Sequence, residues 1–114
     1  VIQTFFLYFI TLVHTFHCTK YTATLAQGQT QVQPNGSYVK STTGLLRGWM
    51  TSPAGTDFDL ALYRYTGTGW SLVIASAGPG NQEMISFSGQ PGYYYWSVRA
   101  DVGSGPYTLY LQNP

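Results

Sequence analysis

Two aspartates stand two positions apart in residues 55–65, and they are two of only four acidic residues in the chain. Phe58, Leu60 and Leu62 occupy the alternate positions of the same segment. This period of two predicts a β-strand with one face on an apolar core, which places Asp57 and Asp59 together on the opposite face. Two neighbouring carboxylates repel each other, so the segment is a candidate for holding a cation.

The other acidic residues and one amide widen this candidate cation site. Calcium takes six to eight oxygen ligands from carboxylates, amides and carbonyls. Each residue of this kind lies near a predicted strand end or loop, and the predicted metal ligands are Asp57, Asp59, Asn81, Glu83 and Asp101. No calcium-loop spacing is present, so a second interpretation stays open, in which Asp57 caps a turn and Asp59 accepts structural hydrogen bonds.

Catalytic chemistry has no support in the residue pattern. A nucleophilic triad needs a histidine near a serine or cysteine, and the two histidines, His14 and His17, both lie in the N-terminal segment. Asp57 and Asp59 would be separated by roughly 6.6 Å along one strand. Glycosidase carboxylates must flank the substrate from two sides, which neighbours on one strand do not do. We therefore predict no catalytic residues and no enzyme activity.

Outward-facing tyrosines form a second candidate site. Exposed aromatic rings on a sheet can stack on sugar rings or pack against proline-rich or fibrous proteins. The alternation of the predicted strands points five rings away from the core, and the predicted ligand-binding residues are Tyr63, Tyr65, Tyr93, Tyr95 and Tyr110. The alternative, which stays open, is that these rings cover one another in cross-strand pairs.

Composition indicates one all-β domain with a charge-poor surface. Of the 114 residues only 8% are charged and the net charge is +1, so the clustered lysines and arginines that bind nucleic acid are missing. Aromatic residues make up 17% of the chain, with 13 glycines and six prolines between the apolar runs. The single cysteine, Cys18, excludes an internal disulfide.

From residue 19 onward, about eight short strands alternate with turn signals. This spacing predicts a two-sheet antiparallel β-sandwich. The sequence Pro-Asn-Gly at residues 34–36 is a strong turn signal. Residues 66–69 link the predicted strand at 55–65 to the next strand in a hairpin. Strict alternation in that next strand predicts that Trp70, Leu72 and Ile74 share one face.

The N-terminal segment differs from the rest of the chain. Residues 5–13 form a nearly unbroken apolar run of a length found in secretory signal peptides, so we divide the chain into a leader at 1–18 and a sandwich domain at 19–114. The alternative is that this run stays on the mature protein and packs into a neighbouring subunit. Cys18 is either an ordinary leader residue or a site of lipid attachment.

Several motifs together resemble a known domain family. They are Asp-Phe-Asp-Leu at 57–60, Glu-Met-Ile-Ser at 83–86, Gly-Tyr-Tyr-Tyr-Trp at 92–96 and Ser-Gly-Pro-Tyr-Thr-Leu at 104–109. As an ordered set they resemble the pre-peptidase C-terminal (PPC) domain, over about residues 21–112. These domains are accessory β-sandwiches attached to secreted bacterial proteases, including trypsin-like serine proteases.

The resemblance implies a non-catalytic, jelly-roll-like β-sandwich that serves in secretion or targeting, or that holds an enzyme on an insoluble substrate. Some related domains bind calcium, and the matching acidic positions here are Asp57, Asp59 and Glu83. No protease precedes the sandwich in this sequence. We therefore expect either a fragment of a longer protein or a module that is secreted alone.

These observations predict a secreted binding module for an extracellular polymer or protein surface, with a structural calcium as its only expected cofactor. The alternative is a structural subunit of an extracellular assembly, joined through its apolar N-terminal segment, and self-association into a homo-oligomer stays open. We expect no nucleic-acid partner, and contact with a membrane only through the leader during secretion.

Overall fold

Residues 17–114 are described by a computed structural model, and every regular element in this range is a β-strand. In chain order the strands are β1 (His17–Leu25), β2 (Thr30–Gln33), β3 (Val39–Ser41), β4 (Gly44–Thr51), β5 (Asp57–Tyr65), β6 (Trp70–Ser76), β7 (Gln82–Gly89), β8 (Gly92–Val102) and β9 (Gly105–Asn113). A membrane-spanning apolar helix does not occur in this range. The predicted leader lies outside the described residues, apart from its last two positions.

The strands form two antiparallel sheets that pack into a sandwich. The first sheet has the order β1-β9-β4-β7, and the second has the order β2-β8-β5-β6. The short strand β3 pairs with residues 92–94 of β8, beyond the part of β8 that pairs with β2. The predicted all-β antiparallel sandwich is confirmed, with nine strands where about eight were expected.

Alternating side chains build the core between the sheets. Leu60 lies opposite Val98 and Leu62 lies opposite Trp96, which brings the inward faces of β5 and β8 together. The first sheet supplies the other half of the core, mainly from β4 and β9. The side chains with no exposed surface are Leu46, Phe58, Leu60, Leu62, Tyr94, Trp96, Val98, Ala100 and Leu109. The inward positions predicted for β5, which are Phe58, Leu60 and Leu62, are confirmed.

A β-bulge in β6 changes which of its side chains face outward. Tyr63 pairs with Leu72 whereas Leu62 pairs with Ile74, so Val73 has no partner of its own on β5. Ile74 therefore packs against the core, while Leu72 is 53% exposed. The prediction that Trp70, Leu72 and Ile74 share one face was wrong, because the extra residue reverses the alternation between Leu72 and Ile74.

The first strand begins earlier than the sequence indicates. Cys18 pairs with Gln112 and Thr19 pairs with Leu111, so β1 includes Cys18, a residue of the predicted leader. The physical reason is that β9 continues to Asn113 and supplies backbone hydrogen-bonding partners for this stretch. The Cys18 thiol is free and exposed.

The predicted turn after β2 is confirmed, and it positions an aromatic side chain. Asn35 and Gly36 both have positive φ angles, of 50° and 79°. The Gln33 side-chain oxygen accepts a hydrogen bond from the Asn35 amide at 2.6 Å, and Gly36 donates to the Val32 carbonyl at 2.8 Å. The turn lets β2 and β3 pair with the same strand, and it carries Tyr38 to the outer face of the second sheet.

Candidate functional site: a carboxylate cluster and an aromatic surface

Three carboxylates converge at one edge of the sandwich. Asp57 and Asp59 come from β5 of the second sheet, and Glu83 comes from β7 of the first. One oxygen from each residue lies within 4.8 Å of the others. The pairing of β6 with β5 runs only from Tyr65 to Leu60, so residues 57–59 have no β6 partner and β7 comes close to them instead. We call these three residues the carboxylate cluster.

The cluster contains buried oxygens without hydrogen-bond partners. Glu83 is only 7% exposed, and one of its oxygens accepts a hydrogen bond from the Ser76 hydroxyl. Within residues 17–114, Glu83 Oε2, Asp57 Oδ1 and Asp59 Oδ1 are all buried and unpaired. An unpaired buried carboxylate oxygen is destabilising unless a cation or a proton compensates it. The cluster could therefore hold a metal ion.

The electrostatic environment of the carboxylate cluster raises the pKa of Asp59. Desolvation by burial, together with the charges of Asp57, Asp101 and Glu83, raises the pKa of Asp59 from its ordinary value of 3.8 to about 6. Arg99, which pairs with Asp59 across the strands, opposes the shift. Burial and like charge both disfavour the ionised carboxyl, so a proton and a cation compete for this site.

The other two predicted metal ligands lie outside the carboxylate cluster. Asn81 donates its side-chain N–H to the Ser52 carbonyl at 2.9 Å, and its own carbonyl accepts from the Ser52 amide. It therefore ties the loop before β7 to the turn before β5. Asp101 is exposed and sits at a register shift, since Asp57 pairs with Val102 and Phe58 pairs with Ala100. Its charge acts on Asp59, but its carboxylate is not one of the three that converge.

The outer face of the second sheet carries a continuous group of six aromatic rings. Four of the five predicted tyrosines belong to it, because β5 and β8 are neighbours and place Tyr63 opposite Tyr95. Tyr110 is exposed but lies on β9 of the first sheet, opposite Trp49 and Lys20. We use the name aromatic surface for the group formed by Tyr38, Tyr63, Tyr65, Trp70, Tyr93 and Tyr95.

The rings of the aromatic surface contact one another in a chain. Tyr63 and Tyr95 are stacked, with centroids 4.8 Å apart and 13° between their planes. Trp70 meets Tyr95 edge-on at 4.8 Å, and its ring tilts by 58° against that of Tyr65 at 5.2 Å. The alternative that the tyrosines cover one another in cross-strand pairs therefore holds for Tyr63 and Tyr95, whose rings are half-buried.

The remaining four rings surround an open depression. Tyr38 stands at 89° to Tyr93, with centroids 5.5 Å apart, and at 47° to Trp70, with centroids 5.8 Å apart. Together with Tyr65 these residues line a cavity of about 210 Å³, which we call the aromatic cup. Each of its four side chains is 39–53% exposed. The cup thus presents ring faces and edges directly to solvent.

Sequence reasoning missed two members of the cup, Tyr38 and Trp70. Tyr38 precedes the three-residue strand β3, and only the shared pairing of β2 and β3 with β8 places it beside Tyr93. Strict alternation places Trp70 on the same face as Ile74, because the bulge at Val73 leaves no mark in the residue pattern.

Comparison with known proteins bears on the fold. No protein-family model matches the chain. The chain is similar to the pre-peptidase C-terminal domain of collagenase from Bacillus anthracis, with 21% identity over 82% of this chain and 87% of that one, and a TM-score of 0.65. The predicted PPC-like β-sandwich fold is thereby confirmed. Attachment to a trypsin-like protease stays a prediction.

Two further solved structures share the architecture. One is a mitogen derived from Yersinia pseudotuberculosis, with 17% identity, 86% coverage of both chains and a TM-score of 0.64. The other is PliG of Aeromonas hydrophila, a periplasmic inhibitor of g-type lysozyme, with 8% identity, 86% and 87% coverage and a TM-score of 0.58. At these identities the likeness concerns the fold.

Proposed function

We propose that this chain is a non-catalytic binding module that works outside the cytoplasm and holds to an extracellular polymer or protein surface. The observation that carries the proposal is the aromatic surface, in which four rings are at least 39% exposed on one face of one sheet. Exposed apolar patches of this kind mark interaction sites, and aromatic side chains dominate the energetics of such contacts.

The similar folds support a binding role. They belong to a C-terminal domain of a collagenase, a mitogen and a lysozyme inhibitor. The periplasmic location of the inhibitor and the signal-peptide-like segment at residues 5–13 support export from the cytoplasm. Mass spectrometry of secreted material tests the export: a mature N-terminus near residue 18 is expected. Retention of residues 5–13 would favour a subunit of an assembly instead.

Binding is tested by pull-down on insoluble polysaccharide and on insoluble fibrous protein. The double variant Tyr93→Ala, Tyr95→Ala removes two rings of the aromatic surface, and Tyr110→Ala removes an equally exposed ring from the other sheet. We expect the double variant to lose binding and the Tyr110 variant to keep it. Equal retention of all three proteins would contradict the proposed binding surface.

A calcium ion in the carboxylate cluster is the second part of the proposal. Asp57, Asp59 and Glu83 would hold it through their unpaired oxygens, because calcium prefers carboxylate ligands and would neutralise their repulsion. Bound there, the ion would join β5 of one sheet to β7 of the other. Its role is structural, and no step of a reaction is assigned to it.

Thermal unfolding with calcium and with chelator tests the ion. A ligand at about 100 times its Kd stabilises the folded state by about 2.7 kcal/mol, so the midpoint should rise by several degrees with calcium. Glu83→Gln should abolish the difference, whereas Asp101→Asn should preserve it because that carboxylate is outside the cluster. The same midpoint for the wild-type protein under both conditions would remove calcium from the proposal.

A further inference from the structure

We infer that the aromatic cup takes an uncharged, proline-rich segment in the polyproline II conformation. This inference rests on the proposed function, since it assigns a ligand class to the same aromatic surface. The carrying observation is that Tyr38, Tyr65, Trp70 and Tyr93 stand at large angles to one another around a cavity of about 210 Å³.

Ring orientation favours insertion over flat stacking. The neighbouring rings of the cup differ in plane by 47°, 58° and 89°, so they form clefts and not a coplanar platform. A sugar ring stacks on an open aromatic face, whereas a pyrrolidine ring fits between two rings that stand at an angle. Aromatic-lined grooves of the second kind are the recurring receptor for polyproline II segments, whose preformed helix loses little entropy on binding.

The polar groups at the cup match a polyproline segment as well. Among the residues that the structure describes, its lining contains no carboxylate, amide or guanidinium side chain. The Tyr65 hydroxyl donates to the Gly67 carbonyl at 3.2 Å, while those of Tyr38 and Tyr93 have no hydrogen-bond partner within residues 17–114. Phenol and indole groups donate to carbonyls, and a polyproline II backbone has carbonyls that are free of internal hydrogen bonds. The hydroxyl groups of a sugar both donate and accept hydrogen bonds, and amide and carboxylate side chains supply the partners for them.

The charge distribution disfavours a cationic ligand. Lys40 lies directly opposite Tyr93 and is exposed, so the charge bordering the cup is positive. Asp59 and Tyr65 are six residues apart along β5, which is about 20 Å. The other acids lie near Asp59: Asp57 and Glu83 belong to the carboxylate cluster, and the charge of Asp101 acts on Asp59. An aromatic cage for an ammonium group gains from a nearby carboxylate, which the cup lacks.

The test is calorimetric titration of the folded protein with a synthetic oligoproline of about ten residues, a length that spans roughly 30 Å as polyproline II. A glycine-serine peptide of equal length serves as the control ligand, and oligosaccharides of glucose and of N-acetylglucosamine serve as the alternative. We expect oligoproline alone to bind. Its affinity should not depend on salt, since no charged pair is formed. In NMR spectra the indole N–H resonance of Trp70 should shift.

Variants assign the binding to the cup. Trp70→Ala should weaken oligoproline binding about tenfold or more, as truncation of a central aromatic anchor does. Tyr110→Ala, with a similarly exposed ring on the other sheet, should bind like the wild-type protein. Tyr38→Phe and Tyr93→Phe keep the rings and remove the donors, so each should weaken binding by a smaller factor. Circular dichroism confirms that each variant is folded.

The outcomes separate this inference from the function on which it rests. Binding of an oligosaccharide and not of oligoproline, with loss on Trp70→Ala, would overturn the ligand class and leave the binding module standing. Oligoproline binding that Trp70→Ala does not change would place the site elsewhere and overturn the inference. If neither probe binds and the pull-downs are also insensitive to the Tyr93→Ala, Tyr95→Ala change, both the inference and the proposed function fail.

Discussion

Gly48 of β4 lies directly against the indole of Trp96 on the facing strand β8. A β-carbon added at Gly48 would stand 2.7 Å from Cζ3 of Trp96, well inside the contact distance. Trp96 has no exposed surface, so the ring cannot move out of the way. The absence of a side chain at Gly48 is what lets the largest residue of the core fit between the two sheets.

We therefore expect Gly48→Ala to destabilise the sandwich by about 1–3 kcal/mol, the usual effect of overpacking a filled core. Urea unfolding measures it. Gly78→Ala is the matched control, because a β-carbon there meets no atom within 4 Å and the residue has no positive φ angle. A small or stabilising effect is expected in the control. Equal midpoints for the two variants would contradict the close contact.

The bulge at Val73 predicts that alanine substitution affects stability differently at two residues of β6. Ile74→Ala should lower the free energy of unfolding by about 1–3 kcal/mol, because Ile74 packs against the core. Leu72→Ala should change it by less than about 0.5 kcal/mol, since Leu72 is 53% exposed. Denaturant titrations of the two variants provide the measurement. Similar losses in both would mean that β6 alternates without a bulge.

A buried hydrogen bond joins Gln33 to Tyr107 and supports the turn that carries Tyr38. The Gln33 side-chain N–H donates to the Tyr107 hydroxyl at 2.7 Å, and Gln33 is 3% exposed. Tyr107→Phe leaves this donor unpaired, so we expect a loss of about 1–3 kcal/mol in thermal or denaturant unfolding. Tyr110→Phe, on the exposed side of the same strand, should have almost no effect. An unchanged stability for Tyr107→Phe would contradict the bond.

The raised pKa of Asp59 predicts a pH dependence for the chelated protein. The folded state binds a proton more tightly than the unfolded chain, whose aspartate titrates near its ordinary value of 3.8. The unfolding free energy contributed by Asp59 is therefore largest below about pH 4 and decreases as the pH rises to about 6. Thermal midpoints measured with chelator across this interval should fall with rising pH.

Asp59→Asn removes the titrating group and should flatten this decline. Asp101→Asn should retain most of the decline, because the charge of Asp101 raises the pKa of Asp59 less than burial and the charge of Asp57 do. With calcium present the dependence should reverse in sign, since the ion competes with the proton and binds more tightly as Asp59 ionises. A wild-type midpoint that rises with pH in chelator would contradict the shift.

Period-two alternation was enough to predict the sandwich and much of its core. In β5, β8 and β9 each inward side chain is flanked by outward ones, and burial of one face follows from the geometry of a single strand. For the same reason the alternation alone places Tyr63, Tyr65, Tyr93 and Tyr95 on outer faces. These are local properties, and local sequence determines them.

Tertiary structure alone decided which of these residues meet. Tyr110 alternates like the other tyrosines, yet strand order places it on the opposite sheet. Glu83 joins Asp57 and Asp59 because β6 leaves residues 57–59 unpaired and β7 approaches them there. Tyr38 reaches the aromatic cup because β2 and β3 both pair with β8. Trp70 reaches it because β6 contains one extra residue. Sheet order, register and bulges depend on contacts between distant segments, which alternation within one strand does not encode.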